Sequence, residues 1–156
     1  MDKPGKIQEG IFPVTPADFP RVVEVWEASV RATHHFVSEA DIQYFKPLVK
    51  DGLAQVEALL CVRDDAGQAA GFIGVGQGKV EALFIHPGWR GQGIGRRLME
   101  HAISALGAIQ VDVNEQNEQA VVFYRQMGFE VEGRSEVDDF GKPYPLLHMR
   151  LREGAG

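Results

Sequence analysis

The chain has 156 residues, a formal net charge of −6 and one cysteine, which is enough length for one domain with a real core. Hydrophobic residues at 44% and charged residues at 24% exclude intrinsic disorder. The acidic balance argues against a general nucleic-acid binder, and the lone Cys61, in the apolar stretch "ALLCV", excludes an internal disulfide.

The N-terminal "MDKPGKIQEGIFPVTP" lacks the apolar core of a signal peptide, and no apolar run is long enough to cross a bilayer. A cytoplasmic protein without nucleic-acid or membrane partners is expected. Phe19, Val22, Val23, Trp26 and Val30 recur at helical spacing and predict a first helix. Its start is open between Thr15 as cap with Pro16 following and Asp18 as cap with Pro20 following. "ATHHFVS" reads as a loop, Ser38 as the cap of a second helix, and Pro47 as the residue that bends or ends that helix. Val56 to Arg63 and "AAGFIGVG" read as a hairpin around "DDAGQ", with a third strand from Lys79 to Ile85.

A glycine-rich loop follows, "HPGWRGQGIGRRLM", and it opens a helix striped by Ile94, Leu98, Ala102 and Leu106. "AIQVDVN" is a further strand, and the next helix runs to Met127 and stops at Gly128, placed as a left-handed C′ residue. "FEVEGRSEV" and "LLHMRLR" flank "DDFGKPYP" as a closing antiparallel pair. This order of elements predicts a mixed α/β sheet flanked by helices, an α+β arrangement in a single domain over residues 1–156.

The loop's chemistry is that of an anion cradle. Arg90, Arg96 and Arg97 concentrate positive charge in an acidic chain, which points to a small anionic ligand. A Walker A loop is excluded because Gly95 is followed by Arg96 and Arg97 rather than Lys-Ser/Thr. A dinucleotide fingerprint fails because Arg96 stands where its third glycine belongs. What remains is Arg90-x-x-Gly93-x-Gly95 between a strand and a helix, where backbone N–H groups and the positive helix end can hold a pyrophosphate without metal. A plain strand-to-helix glycine turn is the competing reading.

Downstream, "NEQNEQAVVFYRQMGFE" sets Asn117, Ala120, Phe123, Tyr124 and Met127 ahead of the Gly128 stop. Together the two stretches resemble the GNAT superfamily of acetyl-CoA-dependent N-acetyltransferases. "L-F-I-H-P-x-x-R-G-x-G-I-G" is similar to its cofactor loop, and "N-x-x-A-x-x-F-Y-x-x-x-G-F" to its next helix. The resemblance is tight from Lys79 to Phe129 and looser but colinear elsewhere. It implies a centrally splayed mixed sheet with acetyl-CoA lying in the splay between the third strand and "AIQVDVN". It further implies that backbone groups of Leu83, Phe84 and Ile85 pair with the pantetheine arm. Backbone N–H groups of Gln92, Gly93, Gly95 and Arg96 would face the phosphates, within a loop that also includes Arg90, Gly91 and Ile94. Asn117, Ala120, Phe123 and Tyr124 would border the cofactor, and no metal is implied.

Acetyl transfer from a thioester needs a neutral amine, a polarised carbonyl and a proton for the departing thiolate. Tyr124 matches the family's general acid, against a competing reading as a core tyrosine on the stripe of Phe123 and Met127. Glu81 is the candidate base, because strand alternation puts it with Leu83 and Ile85, opposite Val80, Ala82 and Phe84. A surface or salt-bridged glutamate is the alternative. His34, His35 and Phe36 fall in the loop that shapes the acceptor site in the family, and His34 or His35 could act as a base or touch substrate. They lack the neighbours of a metal site. Asp138 and Asp139, beside "FGKPYP", could attract a cationic amine or simply decorate a hairpin.

The function expected is direct transfer, in a ternary complex, of acetyl from acetyl-CoA to a primary amine of a small molecule or a protein. The alternative is a non-catalytic acyl-CoA-binding sensor or interaction module on the same fold. Exposed late strands leave room for a homodimer.

Overall fold

A computed structural model describes residues 5–154 of the chain; residues 1–4 and 155–156, which the single-domain reading includes, lie outside the described residues. The elements in chain order are β1 (Phe12–Pro13), α1 (Phe19–Thr33), α2 (Glu39–Gln55), β2 (Ala58–Arg63), β3 (Ala69–Gly76), β4 (Lys79–Ile85), α3 (Ile94–Leu106), β5 (Gln110–Asn114), α4 (Glu118–Gln126), β6 (Phe129–Ser135) and β7 (Leu146–Leu151). They form a seven-stranded mixed sheet in the order β1-β2-β3-β4-β5-β7-β6.

Local chemistry accounts for the boundaries. A short 3-10 turn, Pro16–Asp18, leads into α1, and the Asp18 carboxylate accepts from the Thr15 N–H at 2.8 Å and its hydroxyl at 2.9 Å. Ser38 Oγ accepts from the Asp41 N–H at 3.1 Å and caps α2. That helix does not end at Pro47 but continues to Gln55. The carbonyl that loses its donor there belongs to Gln43, and both Gln43 and Pro47 lie on the exposed side, so water can replace the missing bond. The hairpin between β2 and β3 is held by Asp64, whose carboxylate accepts from the N–H groups of Ala66 and Gln68, each at 2.9 Å.

Two cores cover the two faces of the sheet. Val62, Ile73, Leu98, Met99, Phe129 and Met149 pack between the sheet and α3 and α4. Val22, Val25, Trp26, Ile42, Cys61 and Phe72 pack between the sheet and α1 and α2. Cys61 is fully buried and unpaired, and burial pushes its thiol up.

The feature that positions everything else is the parallel junction of β4 and β5. Only Lys79 with Gln110 and Val80 with Val111 are paired; beyond them the strands diverge. The β5-facing backbone groups of the rest of β4 therefore have no strand partner, and unpaired backbone groups require one from elsewhere. β4 also carries a bulge. Val80 opposes Val75 while Ala82 opposes Gly74, so Glu81 is the extra residue. This overturns the simple alternation expected for the strand. Val80 packs in the core under α3 and α4 with Leu83 and Ile85, while Ala82 and Phe84 pack towards α1 and α2.

Candidate active site

The divergence of β4 and β5 opens a cleft of about 610 Å³. Its walls include Glu81 to Ile85 on one side and Val111 to Asn114 on the other, and its floor is reached by α4. Of the residues expected from sequence, Leu83, Phe84, Ile85, Arg90, Gly91, Gln92, Gly93, Ile94, Gly95, Arg96, Asn117, Ala120, Phe123, Tyr124, Glu81 and His34 all line it. His35 and Phe36 do not: His35 is exposed, and Phe36 packs towards Tyr144 at 6.1 Å between ring centroids. Arg97 also turns away, donating to the Gly10 carbonyl at 3.0 Å, so the basic residues of the cleft mouth are Arg90 and Arg96. Ser29, Thr33, Trp89, Gln119 and the Val111–Asn114 strand complete the wall without having been singled out by sequence. Helical spacing from Trp26 to Ser29 and from Val30 to Thr33, three residues each, was the signal available for the first two.

The N-terminus of α3 opens onto this cleft in an unusual state. Its cap residue, Gly93, has φ +75, makes no side-chain cap and is followed by no acidic residue in the first turn. In contrast, α2 is capped by Ser38 and carries Glu39 and Asp41, and α4 is capped by Asn117, whose Oδ1 accepts from the Ala120 N–H at 3.3 Å. The first N–H groups of a helix have no intrahelical partner, and with the macrodipole they make a ready anion site. The left-handed turn at Gly93 is one that an L side chain resists, and a Cβ there would point into open space. The residues therefore fit a pyrophosphate: uncapped donors, open space at Gly91 and Gly93 where a side chain would otherwise stand, and Arg90 and Arg96 alongside.

Tyr124 sits at the inner end. It is 7% exposed and packs edge-on against Phe123 at 5.2 Å and Phe129 at 6.0 Å. Its ring is a core ring, yet its hydroxyl has no protein hydrogen bond among the described residues. No buried polar side-chain atom is left unpartnered among them, so that hydroxyl is open to the cleft. Burial raises its pKa above the ordinary phenol value, which keeps it protonated at neutral pH.

Glu81 is exposed at the junction and has no ion-pair partner among the described residues. It faces both the cleft and a smaller adjoining groove of about 170 Å³ that Phe45, Asp112, Asp138, Asp139 and Phe140 also line. His34 is held differently. The Thr33 hydroxyl donates to the Ser29 carbonyl at 2.7 Å, so its oxygen accepts from His34 Nδ1–H at 2.7 Å and Nε2 keeps its lone pair. Burial, with a smaller contribution from His35, lowers the His34 pKa to about 4; the ring is neutral at pH 7 and a weak base. Among the described residues no group of side chains has the composition of a metal site, and no helix is long and apolar enough to cross a membrane.

Comparison with known proteins agrees with this geometry. Residues 28–152 match the family model described as an acetyltransferase (GNAT) domain. The chain is 46% identical over 129 residues to the peptidyl-lysine N-acetyltransferase YjaB of Salmonella typhimurium, covering 83% of this chain and 88% of that one. The solution structure of apo YjaB from Escherichia coli superposes with a TM-score of 0.82 at 42% identity, over 90% of this chain and 95% of that one. The PaiA N-acetyltransferase of Thermoplasma acidophilum, solved in complex with coenzyme A, shares the fold with a TM-score of 0.68 at 20% identity, over 92% of this chain and 98% of that one.

Proposed function

The chain belongs to the GNAT acetyltransferase family, and from that premise we propose that it moves acetyl from acetyl-CoA, held in the splay, directly to the ε-amine of a lysine in a protein. That it is an N-acetyltransferase follows from the family. The observation that carries it is the uncapped, acid-free N-terminus of α3 opening onto a cleft whose inner end holds a free phenol.

The pyrophosphate takes the N–H groups of Gln92, Gly93, Gly95 and Arg96. The pantetheine amides take the unpaired edge of β4 at Leu83 and Ile85, as an added strand would; Phe84, in register with Phe72 and two residues before the His86 N–H that donates to the Ala70 carbonyl, turns its backbone groups to β3 instead. Asn117 spends its Oδ1 on capping α4, which leaves its amide nitrogen for the pantetheine arm. The thioester then lies between Tyr124 and the Glu81 bulge. The amine nitrogen attacks the carbonyl carbon, the C–N bond forms and the C–S bond breaks. The ammonium proton leaves through Glu81 or a water it orders, and Tyr124 donates to the departing sulfur.

A lysine acceptor makes the base necessary. Neutralising an amine of pKa 10.4 at pH 7 costs about 4.6 kcal/mol, against about 1 kcal/mol for an α-amine near 7.8. Glu81, without an ion-pair partner among the described residues, and Asp138 and Asp139 across the adjoining groove suit a cationic acceptor, since the one cation lining that groove, Lys79, is paired with Asp112. The curated relative is described as acting on peptidyl lysine, which supports the same class.

The test is mass spectrometry of two peptides incubated with acetyl-CoA, one with a lysine and a blocked N-terminus, one with a free N-terminus and no lysine. Acetylation of the lysine peptide is expected. Acetylation of the second alone overturns the acceptor class. Acetyl-CoA binding without thiol release to any amine would make the chain a binding module.

A further inference from the structure

A second cluster of reactive side chains lies across β5, β7 and β6 and shares only Asp112 with the cleft wall. Ser135 Oγ is 2.6 Å from His148 Nε2, and His148 Nδ1 is 2.7 Å from Asp112 Oδ1. The other carboxylate oxygen of Asp112 pairs with Lys79 Nζ at 2.7 Å. Asp112 and His148 are direct cross-strand partners. Ser135 reaches them only because β6 is bulged. Val131 opposes Met149 while Gly133 opposes His148, so Glu132 is an extra residue. Without it, alternation would put Arg134 on the His148 face and turn Ser135 to the opposite side. Gly133 lies opposite the imidazole, where a Cβ would stand 3.6 Å from His148 Cδ2.

The proton positions follow from the partners. Partial burial works against ionisation of Asp112, but the hydrogen bonds from Lys79 and His148 outweigh it and hold its carboxyl below the usual range. As a carboxylate it only accepts, so His148 donates from Nδ1. In neutral His148, Nε2 is then the acceptor, and the Ser135 hydroxyl donates to it. Nucleophile, base and orienting carboxylate thus stand in the relation that activates a serine, a relation recognised by geometry rather than by sequence order.

We propose that Ser135 is an activated nucleophile that accepts acyl groups from small activated esters or thioesters, at a site distinct from the amine-acetylating cleft. The Ser135 Oγ–acyl bond forms and the ester or thioester bond to the leaving group breaks. The serine proton passes to His148 Nε2 and on to the leaving oxygen or sulfur. Neither Ser135 nor His148 lines the cleft, and Asp112 alone borders both sites; the proposal does not rest on the acceptor and residue roles given above.

The test treats the full chain with a fluorophosphonate probe and, separately, with p-nitrophenyl acetate, followed by peptide mapping. One dominant adduct at Ser135 is expected, absent in Ser135→Ala, which should keep its acetyl transfer to amines. His148→Asn retains a donor near the Nδ1 position but no base at Nε2, and should slow labelling at least about 100-fold. Asp112→Asn, which leaves the imidazole in the wrong tautomer, should do the same and gives a second reading if the first variant melts early. Labelling of Ser135 no faster than of other exposed serines overturns the proposal. So does undiminished labelling in either folded variant. The cluster would then be a crosslink between strands.

Discussion

Replacing Tyr124 with phenylalanine separates chemistry from packing at one atom. The ring, wedged between Phe123 and Phe129, is kept, and the hydroxyl removed makes no protein hydrogen bond among the described residues. Stability should therefore change by no more than about 0.5 kcal/mol, the range of a substitution that breaks no contact. The rate loss can also be bounded. General acid catalysis is worth about 10²- to 10⁴-fold and is best when the acid's pKa lies near the working pH. Burial raises the phenol above its ordinary value, so the proton is held tightly and donated late. The loss should sit at the lower end, about 10²- to 10³-fold in kcat, or roughly 2.7 to 4 kcal/mol. Single-turnover acetyl transfer, thermal melting and acetyl-CoA titration on both proteins make the comparison. An unchanged chemical step would refute the acid role and leave Tyr124 as a core residue. So would a rate loss accompanied by an equal loss of acetyl-CoA affinity.

Gly93→Ala should weaken acetyl-CoA binding at least about tenfold and lower Tm, since a side chain at φ +75 carries about 1–3 kcal/mol of strain; calorimetry and melting read the two effects separately. Glu81→Gln should reduce kcat/KM for lysine acceptors far more than for amines of low pKa, following the difference of roughly 3.5 kcal/mol in deprotonation cost; equal losses across a pH series would assign Glu81 a positional role. Asp18 is held well below the usual carboxylate range, chiefly by the Arg63 hydrogen bond, so its stabilisation is complete above an unfolded pKa of about 3.9 and fades as pH falls further. Asp18→Asn should accordingly lose about 2 kcal/mol at pH 7 and show a smaller difference from wild type near pH 2 by denaturant titration. His34, lowered to about 4 by burial, binds its proton more readily unfolded, so its burial costs stability as pH drops from about 6.5 towards 4; His34→Gln should flatten that part of the stability profile.

Local signals carried most of the fold. The apolar stripe of α1, the Ser38 cap, the hairpin at Asp64 and the Gly128 stop, with φ +102, each follow from residues within a few positions of one another. The glycine loop was legible for the same reason, since its φ values and missing cap belong to the loop itself. What sequence missed depends on partners far along the chain. The bulge at Glu81 exists only relative to β3, and it moves Val80 to the face expected to hold only Glu81, Leu83 and Ile85. The bulge at Glu132 likewise exists only relative to β7, and without it Ser135 and His148 would not meet. Pro47 was expected to bend or end α2, and it does not end it, because its cost depends on whether the Gln43 carbonyl can reach water. His34 and His35 are adjacent in sequence, yet only His34 reaches the cleft, because α1 ends at Thr33 and the chain turns between them.

The claim on which the rest depends is that the α3 N-terminus and the free edge of β4 hold acetyl-CoA. Titration of acetyl-CoA into the isotope-labelled protein, followed by backbone amide resonances, tests it most directly. Saturable shifts are expected at Gln92, Gly93, Gly95 and Arg96, together with Leu83 and Ile85, and the Gly93→Ala protein should require a higher concentration to show them. Saturable shifts confined to other segments, or none at millimolar acetyl-CoA, would contradict the account.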